Sequence, residues 1–240
     1  MKTWSVVAAT AMLAGTALPA SALTATFDLS CGGGVACASG SAGQYDQLPS
    51  SLTMTQGDLT ATFAARAFVF AVPSNPSGAG TLSHTKIVDG RIGQYGNGAG
   101  IFSSKIDGQH TVDGIYPIDF FEIGFSQEVT LQNLSFSYYT DQDTFVGLFD
   151  SNGDGTIGDG DSYTDNMSVK WADYAGNYGI DVTTFGIAAT SGHGFKLKSV
   201  TVDYAEMVPP AAVPLPAGGL LLLSGLGGVA LTRRRKRRAA

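Results

Sequence analysis

The chain has 240 residues, 44% hydrophobic, 10% aromatic and only 14% charged, with 32 glycines and a formal net charge of -6. That length accommodates one large or two small domains with a real core, and aperiodic glycine beside so many aromatics excludes a disordered or collagen-like chain. Six of the 14 basic residues form one run at the C-terminus and another is Lys2, so residues 23–212 set seven cations against all 20 acids, a net -13 that argues against nucleic acid as a partner of the body.

In chain order, residues 1–22 read as a secretory signal peptide. Lys2 provides a thin positive start, residues 6–18 are apolar or small, and Ala20-Ser21-Ala22 is a small-x-small cleavage site. A buried N-terminal helix is the competing reading, weakened because polar alternation begins at Leu23 and Thr24. Cys31 and Cys37 are the only cysteines. In an exported chain, a pair this close around three glycines is expected to form a small-loop disulfide, and no neighbouring Cys or His offers the further ligands a zinc site needs.

Residues 23–207 are expected to form one all-β domain, an antiparallel β-sandwich of jelly-roll type. Short alternating segments at 52–55, 59–72, 115–125, 129–139, 144–149, 180–188 and 195–204 are the predicted strands, separated by Gly, Asn, Asp and Ser clusters. Val129, Leu131, Leu134, Phe136 and Tyr138 are spaced like Phe195, Leu197, Val200, Val202 and Tyr204. In both, the apolar face changes parity once. Side chains on a strand otherwise alternate strictly, so each change predicts a β-bulge, or a bend where the strand passes between sheets. The stretch from Asp119 to Leu131, with that from Phe195 to Val202, resembles the strands of galactose-binding-like sandwiches. The resemblance is one of strand pattern and carries no binding residue.

Between strands lies an acidic loop, residues 150–161. Asp150, Asn152 and Asp154 place oxygen ligands at positions 1, 3 and 5, and Gly155 makes the sharp turn at 6. Thr156 offers its carbonyl at 7, Ile157 is apolar at 8, Gly158 leaves room for water at 9, and Asp161 closes the loop at 12. A hard cation wants six to eight oxygens, and only a tightly wound loop gathers them from so few residues. The loop resembles EF-hand and dockerin calcium loops, the latter because Asp closes it in place of Glu. That implies Ca²⁺ as the cofactor. The setting departs from those families: a strand precedes the loop, no amphipathic helix follows, and a polar Asx-rich turn is the alternative. No Lys or Arg occurs between Lys105 and Lys170, while twelve acids do.

Catalytic signatures are absent from the sequence. His84, His110 and His193 are far apart, in polar Gly-containing surroundings. No Gly-x-Ser-x-Gly elbow, His-Glu-x-x-His helix or P-loop occurs. Asp119 and Glu122 could be read as a glycosidase pair, yet three residues apart on a strand they point to opposite faces. The chain is therefore expected not to be an enzyme.

The C-terminus reads as a Pro-rich linker (208–212) followed by a tail (213–240). The tail opens with Val213, Pro214, Leu215, Pro216 and Ala217, continues through an uncharged apolar stretch, and ends in Arg233, Arg234, Arg235, Lys236, Arg237 and Arg238. Residues 215–232 would form a helix of about 27 Å, enough for a thin bilayer, and the six cations should remain cytoplasmic. Motif, helix and basic run together resemble the VPLPA-type sorting signal of the PEP-CTERM-like class of bacterial exported proteins. The resemblance implies transient inner-membrane anchoring, removal of the anchor near the motif by a membrane-embedded, exosortase-like protease, and passage to the cell surface, often beside exopolysaccharide. A weak tail anchor without processing is the alternative. Two functions stay open: a non-catalytic surface or matrix protein stiffened by Ca²⁺, or a carbohydrate-binding module using Tyr95, Tyr163, Trp171, Tyr174 or Tyr178 as stacking platforms.

Overall fold

The computed structural model describes residues 22–31, 42–70, 78–107, 110–165, 167–168, 181–190, 192 and 194–206. The expectations for the signal peptide up to Ser21, for Cys37, and for the linker, sorting motif and basic run all lie outside the described residues. The chain divides into two compact units, Met1–Glu206 and Met207–Ala240, and every described residue belongs to the first. Among the described residues no helix is long and apolar enough to cross a membrane.

The described chain is all-β, mostly antiparallel and sandwich-like. Its strands are β1 (Ala22–Asp28), β2 (Ser51–Gln56), β3 (Leu59–Phe70), β4 (Gly80–Thr81), β5 (Lys86–Asp89), β6 (Arg91–Tyr95) and β7 (Gly98–Phe102). They continue as β8 (Val112–Asp113), β9 (Ile118–Ser137), β10 (Thr144–Phe149), β11 (Ser162–Tyr163), β12 (Met167–Ser168), β13 (Asp181–Ala189) and β14 (Gly194–Ala205). The one helical element among the described residues is a short 3-10 turn, Ala42–Gln47.

β9 organises the sheet. Its first half pairs with β3, from Phe68↔Ile118 to Ala61↔Phe125, and its second half with β14, from Tyr204↔Val129 to Lys196↔Ser137. β13 follows the other edge across both halves. The strand thus exchanges β3 for β14 along one edge, and the chain folds over onto itself. Phe27 of β1 and Phe63 of β3 share no ladder, yet their rings meet at 6.1 Å across the core. Aromatics dominate that core: Phe27, Phe63, Phe121, Phe145, Phe185 and Phe195 are all essentially inaccessible. Each contributes roughly 1.5–3 kcal/mol by leaving water, far more than any single surface contact.

The two expected parity changes coincide with two register shifts. In the β9–β14 ladder the register slips between Leu197 and Ser199 and again between Thr201 and Val202. Lys198 is the extra residue on β14 and Gln132 the extra residue on β9, and the second bulge restores the register that the first displaced. Both strands therefore keep their apolar residues inward on either side of the kink: Leu131, Leu134, Leu197, Val200 and Val202 are all buried. The two strands share a pattern because they face each other.

Three expectations change. The segments expected at 115–125 and 129–139 are one strand, because the polar residues between them stay extended, with Ser126 accepting the Thr60 amide at 3.0 Å. Tyr138 lies past the strand end, with φ +52° and 63% exposure, and takes no part in the core. The Gly-rich hairpin β6–β7, not expected at all, is buried along almost its whole length.

Candidate functional site

The acidic loop 150–161 connects β10 to β11 and is organised by its own carboxylates. The amides of Gly153 and Asp154 donate to Asp150 Oδ1 at 2.7 and 3.2 Å, and the Gly155 amide donates to Oδ2 at 2.8 Å. Asn152 Oδ1 accepts the Asp154 amide at 2.8 Å, and Asp154 Oδ1 accepts the amide and hydroxyl of Thr156. Asp161 closes the ring, with Oδ1 accepting the Ser151 amide at 2.9 Å and Oδ2 the Gly158 amide at 2.7 Å. Short polar side chains that cap nearby amides are what winds such a turn. Gly153 and Gly155 sit at φ +75° and +86°, conformations that a Cβ would strain.

The loop is also fastened to the sheet. Ile157 is 2% exposed and plugs a second, smaller core with Phe68, Leu82, Phe120, Val146 and Leu148. Its amide donates to Glu122 Oε2 at 3.0 Å, while Glu122 Oε1 pairs with Arg66 at 3.2 Å. Asp159 accepts both the amide and hydroxyl of Thr85 at 2.6 Å. Hydrogen bonds from Thr156 hold Asp154, and those from Thr85 hold Asp159, below the usual carboxylate range.

A bound cation requires ligand oxygens that converge, and among those of Asp150, Asp154 and Asp161 both oxygens of Asp150 and Asp161, and Oδ1 of Asp154, already accept local amides. Among the described residues, one group of three carboxylates brings an oxygen from each within 4.8 Å of the others, and it lies elsewhere: Asp107, Asp113 and Asp119.

The triad is assembled from three elements. Asp107 follows β7 and accepts the Ser103 amide at 3.1 Å. Asp113 ends β8 and accepts the Ile115 amide at 3.0 Å. Asp119 is the second residue of β9 and shares the inward parity of Phe121, Ile123 and Phe125. Two glycines let the 110–113 segment settle onto the sheet: a Cβ on Gly100 would collide with the His110 carbonyl, and one on Gly194 would lie 2.6 Å from Thr111 Oγ1 and 3.2 Å from Asp113 Cβ. Asp119 is 0% exposed, and neither of its carboxylate oxygens has a hydrogen-bond partner. Burial, then the charges of Asp113 and Asp107, push its pKa well up; the Asp113 backbone and the Ser103 hydroxyl offset part of this without reaching hydrogen-bonding geometry. Burial pushes Asp113 up to about 6, against the lowering effect of the Ile115 amide.

As a unit this group leaves no motif in the sequence. Its three acids are six residues apart, a spacing that matches no cation loop, and only the hairpin and glycine contacts bring them together. One signal was present: an acid at position 119 on the same face as three large apolar residues. Asp119 and Glu122 do point to opposite faces, the former into the triad and the latter to Arg66 and Ile157.

The remaining expected residues are dispersed. Cys31 is disulfide-bonded, and Cys37 lies outside the described residues. Ala22, expected at the cleavage site, begins β1 opposite Ala205. Tyr95 is not a free platform: Lys196 Nζ sits 3.7 Å above its ring, and His110 stacks on it at 5.9 Å. Tyr163 packs against the second core, whereas Trp171, Tyr174 and Tyr178 lie outside the described residues. Tyr138, not expected in this role, stands with Tyr139, Thr140 and Asp143 around an open cleft of about 370 Å³. No family model, no curated protein and no solved structure matches the chain.

Proposed function

We propose that the chain is a non-catalytic, exported surface or matrix protein. In this reading a jelly-roll β-sandwich is delivered by a C-terminal sorting tail and stiffened by Ca²⁺ in the 150–161 loop. The delivery half rests on one sequence observation, the succession of Val213 to Ala217, an apolar stretch, and the cations Arg233 to Arg238. A membrane-spanning helix at 215–232 and an exosortase-like protease as partner belong to the same proposal. The calcium half rests on the loop's ligand spacing and on a body that carries about -13 before any cation binds.

Fractionation of the producing cells, with the mature C-terminus determined by mass spectrometry, tests delivery. The surface form should end near Pro216, and an intact 233–238 run in that form sinks sorting-coupled cleavage. Calorimetry tests the loop: Ca²⁺ should bind in the micromolar to millimolar range, on the order seen in extracellular modules. Asp154→Ala should remove part of the Ca²⁺-induced rise in melting temperature, and an unchanged rise refutes loop binding.

A carbohydrate-binding role is the second reading, favoured by one place. The ring of Tyr138, 63% exposed although Lys196 Nζ sits over one face at 4.8 Å, borders the cleft containing Asp143 and Thr140. An aromatic face beside polar groups is the usual apparatus for holding a sugar ring. Selective glycan-array binding that Tyr138→Ala abolishes would put this reading first.

A further inference from the structure

We infer that Asp107, Asp113 and Asp119 form a second binding site for a hard divalent cation, separate from the acidic loop. The inference begins with Asp119. A carboxylate with no exposure and two orphaned oxygens is among the least favourable arrangements a folded chain can hold. Such a group carries its charge only against the full penalty of desolvation, and its orientation towards two further carboxylates raises that penalty. The compensation is partial: the salt bridges among the described residues engage Asp89, Glu122 and Asp46, the charges acting on Asp113 and Asp119 are acidic, and His110 acts on Asp107 alone of the three.

A divalent cation reverses every one of these terms. One oxygen from each of three residues already falls within a 4.8 Å span, and two ligands on opposite sides of a Ca²⁺ or Mn²⁺ ion stand about that far apart. The donor set is all carboxylate, which selects hard cations over the zinc and copper that prefer nitrogen and sulfur. Asp107 is half-buried, so the site keeps an opening through which an ion can enter and water can complete its shell. Asp113 is already oriented by the Ile115 amide and Asp107 by Ser103, the kind of supporting hydrogen bonds that fix ligand carboxylates. The site also has a mechanical meaning. It would clamp the loop after β7, the end of β8 and the start of β9, three segments that no single ladder joins.

The test is equilibrium dialysis of the full chain against Ca²⁺ alone and Mn²⁺ alone, with bound metal measured by elemental analysis and melting followed in parallel. The expected result is a site whose affinity falls at least about tenfold in Asp119→Asn, since even the loss of an outer-shell partner costs that much. The same site should survive Asp154→Asn, which alters only the loop. Asp107→Asn, at a half-buried position where the amide oxygen can still accept from Ser103, should weaken the site in the same way and serves if Asp119→Asn does not fold. Equal metal content and equal ion-induced melting shifts in wild type, Asp119→Asn and Asp107→Asn overturn the inference. So does binding that disappears only with Asp154→Asn, and so does a wild-type chain that binds neither ion. A loop that fails while the triad binds, or the reverse, separates this inference from the calcium reading of the loop.

Discussion

The two acidic regions of the molecule solve one problem in opposite ways. In the 150–161 loop Asp154 and Asp159 are exposed and Asp161 is buried, yet every carboxylate is answered by at least one amide, most of them within the loop itself. At Asp107, Asp113 and Asp119 the carboxylates come from separate elements, two are buried, and neither oxygen of Asp119 has a hydrogen-bond partner among the described residues. Their acidities diverge accordingly: hydrogen bonds lower Asp154 and Asp159, whereas burial raises Asp113 and Asp119. A motif recognised by spacing is one whose residues can satisfy one another locally. An assembly that needs an outside partner need leave no such trace in the sequence.

That contrast can be broken in three ways. Ile157→Ala has the largest expected effect. It empties a buried plug beneath the loop and should cost about 2–3 kcal/mol in chemical denaturation, the lower part of the range for such truncations because this core is small. The loss should be equal with and without divalent ions. A loss confined to the ion-loaded protein would mean that the loop owes its order to a cation and not to its own amides.

An intermediate effect is expected from pH in the presence of a chelator. Asp113 and Asp119 have folded pKa values above their unfolded ones, so they retain protons that the unfolded chain releases. Their contribution to stability is full below the unfolded value near 4 and is lost as pH rises, through about 6 for Asp113. Asp154 and Asp159, with lowered values, act in the other direction: their contribution is present above the unfolded pKa and is lost as pH falls through the folded one. The chelated protein should therefore melt a few degrees lower at pH 6 than at pH 4. Asp113→Asn combined with Asp119→Asn should flatten that decline. If the double variant declines as steeply as wild type, the triad is not the source.

The smallest effect belongs to Thr85→Val. It removes one exposed hydroxyl bond to Asp159 while leaving the amide bond, and should cost less than about 1 kcal/mol by thermal melting. A larger loss would show that the loop depends on its outside fastening more than on its internal ring.

Sequence reading reached the all-β class, strand β10 to the residue, and the parity changes now seen at Lys198 and Gln132. These were legible because alternation and its interruption are local. The single strand β9 was not, since Ser126 to Glu128 look like a turn until β3 and β14 are known to take up the same edge in succession. The buried β6–β7 hairpin was hidden by its glycines, which mark loops in sequence but here permit close approach of the 110–113 segment. The loop was found from its spacing, yet the amide bonds that occupy its oxygens could not be. The triad needed the fold itself.

Ala22 stands opposite Ala205 in the β1–β14 ladder, which gives the body a direction for bearing load. A pull on Glu206 against a grip elsewhere on the sandwich would strain β14 along its length. Its hydrogen bonds to β1 and β9 would then share the force together, in shear. The same force applied between Ala22 and Glu206 would meet those bonds one at a time and peel them from the end. A tether attached after Glu206 is thus held by the strongest geometry this ladder can offer, and one shared between both strand ends by the weakest.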